Sequence, residues 1–341
     1  MNTNSTKKRG HAVALFSGGL DSALSILLIL QQNIEVTALT FMTHFGCDLG
    51  DRSSCGSNPY PTAEKYGFNV KLMHLGQKFV DIVVDPKHGR GANMNVCVDC
   101  RILMLKEAAA YADMIGADFI ITGEVMGQRP FSQVKPKMEL VLRQSGLEGR
   151  LLRPLSAKLL PPTDAEKSGL VDREKLEGIM GRSRKRQIEL AKQFDLDDYP
   201  SPASGCLLTD SNYSNRLRDL IAHTERLSFN DLNLLRVGRH FRLNDSSKLI
   251  VGKNEADNRS IMGQLQPYHF KLEAPEVGSP VSLLIGAPDQ SIIETAARIT
   301  ARYSSGRHDK LVRVQIENEN KSYSLDVPPA EEDQFTHLSI N

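Results

Sequence analysis

The stretch HAVALFSGGLDSALSILLIL, residues 11–30, decides the fold. Its first six residues are apolar and run straight into glycines, the pattern of a short strand buried on both faces of a parallel sheet. From Asp21 or Ser22 the periodicity becomes helical. IEVTALTF (34–41) reads as a second buried strand, so the first forty residues form a strand–helix–strand unit. NVKLMHL (69–75) repeats the strand signal, RILMLKEAAAYADMIG (101–116) is helical, and ADFIITGE (117–124) is an apolar strand ending at Gly123. This alternation predicts an α/β fold, a doubly wound parallel sheet whose ligand site lies beyond the carboxyl ends of the strands. SGG and TGE both fall at such ends.

Beyond residue 159 the texture changes. LLPPTDAEKSG (159–169) carries two prolines and polar breakers, and two helical segments follow, one containing RSRKR (182–186). YPSPASG (199–205) reads as a linker or exposed loop leading into Cys206. LLRVGRHFRL and KLIVGKN are short β-like runs, while VSLLIGA, an Ala-rich helix and LVRVQIE make a smaller C-terminal α+β region. The expected division is a nucleotide-binding domain over 1–160, a helical connection over 161–200, and a C-terminal region over 201–341. The polar, acidic last dozen residues are expected to fray.

Composition narrows the classes. The chain has 341 residues, with 42 Lys+Arg against 41 Asp+Glu, which disfavours a bulk polybasic nucleic-acid binder but not a local basic patch. Five cysteines without a leading signal segment do not make a secreted disulfide framework. The longest apolar run, 24–30, is too short to span a membrane. A soluble, cytoplasmic protein with reduced thiols and no membrane partner is expected; the oligomeric state is not legible.

Ser17, Gly18, Gly19, Leu20, Asp21 and Ser22 sit between the first strand and the first helix. Glycines let the backbone turn tightly, outward N–H groups converge, and a helix N-terminus adds partial positive charge, so phosphate is the natural guest. No lysine follows as in kinase-type loops, which argues against γ-phosphate transfer. SGGLDS resembles the SGGxDS signature of the PP-loop ATP pyrophosphatases, which cleave ATP between its α and β phosphates. The resemblance implies that Gly18 and Gly19 N–H groups and the Ser17 and Ser22 hydroxyls hold pyrophosphate. It further implies that Asp21 holds or orients Mg²⁺. Gly123, at the end of the TGE strand, belongs to the same ATP site, and Phe41 is a candidate wall for adenine or else a core side chain. Glu124 is a candidate acid–base or Mg²⁺ group, or a cap.

Cys97 and Cys100 form CVDC at a helix start, where thiolates are favoured, and Cys206 lies far along the chain. CxxC alone is compatible with a redox dithiol, half a zinc site with a histidine such as His88, or part of an iron–sulfur site. Residues 97–128 are similar to the tRNA-thiolating branch of the PP-loop family, and TGEVMGQ looks like the corresponding segment of 4-thiouridine synthetases. One group of tRNA thiolases binds a [4Fe–4S] cluster with a CxxC pair and one distant cysteine, which Cys97, Cys100 and Cys206 match.

The resemblance therefore implies an ATP-dependent tRNA sulfurtransferase, of which 4-thiouridine is one candidate product. ATP activates a uridine oxygen, Asp21 and the three cysteines act catalytically, and sulfur comes from hydrosulfide or a cysteine desulfurase. A cluster-free persulfide mechanism on Cys100 and Cys206 is the near rival; it needs two cysteines and three are supplied. The same residues are also compatible with a PP-loop ligase or amidotransferase on a small acid, or with a non-catalytic RNA-binding adaptor. Cys47 and Cys55, spaced C-x7-C, have no assigned role.

RNA contacts are expected from Arg182, Arg184, Lys185 and Arg186, and from Gln128 and Arg129 after the TGE strand. The region around LLRVGRHFRL looks like a small RNA-binding module that accompanies some ribosome quality-control and PP-loop proteins. There Arg239 and Arg242, with Phe241 for stacking, are the candidates. The phosphate loop begins almost at residue 17, a departure from the large N-terminal RNA-binding extension of 4-thiouridine synthetases, so if RNA is recognised the C-terminal half is expected to do more of the work.

Overall fold

The computed structural model describes residues 8–46, 58–197, 199 and 206–340. It divides into two compact units, Met1–Thr209 and Asp210–Asn341. Residues 161–200 thus belong with the nucleotide-binding unit instead of forming a separate connection. The reason is packing: Leu176, Ile179, Leu190, Ala191 and Leu196 join one apolar cluster with Leu24, Leu27 and Leu28.

In the first unit the elements are β1 (His11–Leu15), α1 (Leu20–Leu30), β2 (Glu35–Met42), α2 (Tyr60–Tyr66), β3 (Asn69–His74) and α3 (Gly76–Val84). Then come α4 (Cys97–Ile115), β4 (Phe119–Thr122), α5 (Lys135–Ser145), β5 (Leu151–Leu152), α6 (Asp164–Lys167) and α7 (Lys185–Gln193). The sheet order is β3-β2-β1-β4-β5, with every pairing parallel. The chain winds outward from β1 in one direction and resumes at β4 on its other side, so the crevice opens beyond the carboxyl ends of β1 and β4.

Alternation along β1 builds both faces of that sheet. Ala12 and Ala14 join the cluster of α1 and α7, while Val13 and Leu15 join Val98, Leu105 and Ile102 of α4 and Val141 of α5. That double burial is why the strands read as unbroken apolar runs.

The second unit contains α8 (Ser211–His223), α9 (Phe229–Leu234), β6 (Arg239–Asn244), β7 (Ser247–Val251), α10 (Glu255–Gly263) and β8 (Phe270–Glu273). It continues with β9 (Ser282–Gly286), α11 (Gln290–Arg302), β10 (Val312–Glu317), β11 (Ser322–Val327) and α12 (Glu332–Phe335). Its sheet, ordered β11-β10-β8-β9-β7-β6, is antiparallel throughout. The C-terminal tail does not fray as its polarity suggests. Phe335 is buried against Phe241 and Tyr303, and the Ile340 N–H donates to the His240 carbonyl at 2.9 Å. No helix among the described residues is long and apolar enough to cross a membrane.

Candidate active site at the carboxyl ends of the parallel strands

The loop after β1 is held open by local bonds. Gly18 has φ +74°, a conformation L side chains rarely adopt, and Gly19 caps α1 in extended form. The Ser22 hydroxyl donates to the Gly19 carbonyl at 2.8 Å and accepts from the Ser17 N–H at 3.3 Å, and lies 3.2 Å from the Ser17 hydroxyl. Ser17 is exposed and both glycines are half-exposed. The loop therefore presents N–H groups and hydroxyls at a helix start, which suits an anion.

Gly123 locks the end of β4 onto this loop. A Cβ placed there would lie 2.5 Å from the Ser22 nitrogen and 2.7 Å from the Asp21 carbonyl carbon. The segment beyond it then meets the stretch that precedes α7, where Met126 pairs with Met180 and the Gly181 N–H donates to the Met126 carbonyl at 2.7 Å. Gln128 returns toward the loop and donates through Nε2 to Asp21 Oδ2 at 2.6 Å. Arg184 Nη2 stands 3.9 Å from the same oxygen, and the fully buried Gln187 donates to Gln128 Oε1 at 3.3 Å. Asp21 Oδ1 is buried and has no hydrogen-bond partner. A lone buried carboxylate oxygen beside a phosphate loop fits a Mg²⁺ ligand.

Glu124, a candidate acid–base group or cap in the sequence, is the buried centre of an ion-pair network. It is 2% exposed and binds Arg153 Nε at 3.0 Å, Arg101 Nε at 3.4 Å and the Thr122 hydroxyl at 3.1 Å. Burial alone would push its carboxyl up, but the Arg101 and Arg153 charges, with hydrogen bonds from Arg153 and Thr122, more than offset this and hold it below its ordinary value. The pairing therefore stabilises the fold above the ordinary carboxylate value of 4.5 and is lost as pH falls through the lower folded one. Glu124→Gln should cost about 3–5 kcal/mol near neutral pH, because Arg153 stays buried without its counter-charge. The gap between variant and wild type should narrow in melts below that value; a gap independent of pH would contradict the assignment.

Arg101 directly follows Cys100, so the same ion pair fastens the cysteine helix to the strand that abuts the ATP loop. At the start of α4 the Cys97 N–H donates to Asn95 Oδ1 at 2.8 Å. The segment carrying Cys206 lies beside this start. The Met94 N–H donates to the Leu208 carbonyl at 3.0 Å, Asn93 Nδ2 to the Thr209 carbonyl at 2.8 Å, and the Leu207 N–H to the Phe45 carbonyl at 3.0 Å. The three cysteines are half-buried, and no disulfide joins them.

Among the described residues no three His, Cys, Asp or Glu side chains converge tightly enough to hold a single metal ion. His88, weighed as a zinc partner for CVDC, instead meets Asp99 at 2.8 Å through Nδ1. Cys47 and Cys55 lie outside the described residues.

Phe41 is half-buried and packs on the cluster that includes Val98 and Ile102. Of the expected RNA contacts in the first unit, Arg129, Arg182 and Lys185 are exposed. Arg186 forks onto Glu177 at 2.6 and 3.1 Å, and Arg184 turns toward Asp21. In the second unit Arg242 forks onto Asp219 at 2.9 and 2.7 Å, beside Lys248, and the Arg239 guanidinium lies 4.6 Å over the Tyr303 ring. Phe241 cannot stack on a base, because it is 2% exposed within the domain core. Its flanking charges suggest an exposed strand, and the partners that bury it are more than fifty residues away in sequence. Sequence reading also missed Gln187, Arg153 and the Arg101–Glu124 pair; the arginine next to CVDC was the one available hint.

Strand order, glycine loop and loop aspartate together define a PP-loop nucleotide-binding domain. Residues 7–158 match the family described as thiamine biosynthesis protein (ThiI), and residues 238–338 match the NFACT protein RNA binding domain. The chain thus carries an N-terminal segment similar to the ThiI family and a C-terminal segment similar to the NFACT RNA binding domain. A probable tRNA sulfurtransferase of Thermococcus kodakarensis is 29% identical over 156 residues, covering 43% of this chain and 37% of that protein. A bifunctional protein NifU/MnmA of Rubrobacter xylanophilus is 35% identical over 124 residues, covering 34% of this chain and 25% of the relative. A tRNA-specific 2-thiouridylase MnmA of Pseudomonas aeruginosa is 25% identical over 283 residues, covering 76% and 73%. The chain therefore spans well under half the length of the first two relatives.

Proposed function

We propose that this chain is an ATP-dependent tRNA sulfurtransferase that replaces a uridine carbonyl oxygen with sulfur. The observation that carries the reading is the Arg101–Glu124 pair, which ties the cysteine helix to the strand end packed on Asp21 and Ser22. The helix that carries Cys97 and Cys100 is thereby joined to the strand end that packs on the ATP loop.

In this reading Gly18 and Gly19 N–H groups and the Ser17 and Ser22 hydroxyls bind the β and γ phosphates, Asp21 with Gln128 positions the accompanying Mg²⁺, and Phe41 borders adenine. The uridine carbonyl oxygen attacks the α-phosphorus and pyrophosphate leaves. Sulfur from the cysteine side then attacks the ring carbon, the carbon–oxygen bond breaks, and AMP departs with that oxygen. A [4Fe–4S] cluster held by Cys97, Cys100 and Cys206 would supply an iron without a protein ligand on which hydrosulfide, free or derived from a cysteine desulfurase, can bind. The exposed Arg129, Arg182 and Lys185 bind the tRNA backbone, assisted by the NFACT-type domain. 4-Thiouridine is the product the family likeness favours.

Release of AMP and pyrophosphate from ATP tests the reading. It should depend on bulk tRNA. Equal release with small carboxylic acids in place of tRNA would favour a ligase, and no release at all would favour an adaptor; either result overturns the proposal.

A further inference from the structure

We propose that Gln187 is a positioning residue for Asp21, acting through the side-chain amide of Gln128 so that one carboxylate oxygen is kept for the cation that accompanies ATP. The inference rests on the pyrophosphatase reading only for the identity of that ligand.

The two ends of an amide are chemically distinct. Gln187 Nε2 donates to Gln128 Oε1 at 3.3 Å, so the NH₂ end of Gln128 is the one turned to Asp21, where it donates to Oδ2 at 2.6 Å. A flipped Gln128 would set its oxygen against the carboxylate and lose the bond from Gln187. Asp21 Oδ2 is thereby engaged, with Arg184 also on its side at 3.9 Å, while Oδ1 is left buried and without a donor. Arg184 lies just before α7 and Gln187 one turn later, so Arg184 approaches Asp21 and Gln187 meets Gln128 from one face.

The second observation is thermodynamic. Gln187 is fully buried, and its own Oε1 has no hydrogen-bond partner. A buried acceptor left unmade weakens the fold, and a leucine of similar size would fill the same space without that cost. A group that weakens the fold while fixing the neighbour of a carboxylate behaves as the outer partner of a metal ligand.

The test uses the full-length chain with Gln187→Leu, Gln187→Met, Gln128→Ala and the Gln128→Ala/Gln187→Leu double variant. Mn²⁺ binding in the presence of ATP is read by electron paramagnetic resonance and stability by thermal melting. Gln187→Leu and Gln187→Met should weaken Mn²⁺ binding about tenfold, the scale of an outer-partner loss, with an unchanged or raised melting midpoint. The double variant should bind no worse than Gln128→Ala alone, since the effect passes through that amide. Unchanged Mn²⁺ binding, a melting midpoint that falls with the binding, or losses that multiply in the double variant would overturn the proposal. Failure of the wild-type chain to make AMP with tRNA would instead remove the thiolation reading, since Mn²⁺ binding is read without turnover.

Discussion

Cys206→Ala should abolish sulfur transfer to tRNA while leaving tRNA-dependent release of pyrophosphate, the product of the adenylation step, measurable. The segment around Cys206 is held by the Leu207 N–H to Phe45, by the Leu208 carbonyl to Met94 and by the Thr209 carbonyl to Asn93, and none of these bonds uses the thiol. Losing a half-buried sulfur therefore leaves the backbone in place. The ATP loop, built from residues 17–22 and Gly123, keeps its own support. Loss of a direct ligand should exceed the roughly 10- to 100-fold effect of losing an outer partner. Cys97→Ala separates the two sulfur chemistries. A cluster needs all three thiolates, whereas a persulfide on Cys100 resolved by Cys206 does not use Cys97. Equal loss in Cys97→Ala and Cys206→Ala is expected; wild-type thiolation in Cys206→Ala, read by nucleoside mass spectrometry, would remove Cys206 from the mechanism.

Gly123→Ala should be nearly as damaging, through a different physical route. The added methyl carbon would meet the Ser22 nitrogen at 2.5 Å and the Asp21 carbonyl carbon at 2.7 Å, and both are backbone atoms at the first turn of α1. Neither can rotate away, so α1 or the end of β4 must move. Overpacking of this kind costs about 1–3 kcal/mol. The catalytic loss is larger, because a displacement near 1 Å in a positioning element can cost on the order of a hundredfold in rate. AMP formation should fall by about that factor with a modestly lowered melting midpoint. Full activity in Gly123→Ala would mean that the TGE strand does not set the geometry of the ATP loop.

Much of this was legible in the sequence for a physical reason: backbone-determined features leave local signatures. Strands buried on both faces appear as unbroken apolar runs, and a phosphate loop needs glycine where φ is positive, as at Gly18. CVDC, TGE and SGGLDS were readable because each is contiguous. Long-range electrostatics was not. The partners of Glu124 come from α4 and from the segment after β5, and no local pattern distinguishes a buried ion-pair hub from an acid–base group. The same limit explains the basic run. RSRKR looks uniform in sequence, yet the fold turns Arg184 to Asp21, pairs Arg186 with Glu177, and leaves Arg182 and Lys185 exposed. Phe241 and the C-terminal tail escape a sequence reading together, since each is buried by the other.

In the proposed reaction the cysteines deliver sulfur to a uridine activated at the ATP loop. Mass spectrometry of nucleosides from bulk tRNA, incubated with anaerobically prepared protein, ATP, Mg²⁺ and sulfide, tests it most directly. A thiolated uridine should form only when ATP is present and be missing with Cys206→Ala. Release of AMP and pyrophosphate without any sulfur-containing nucleoside would contradict it.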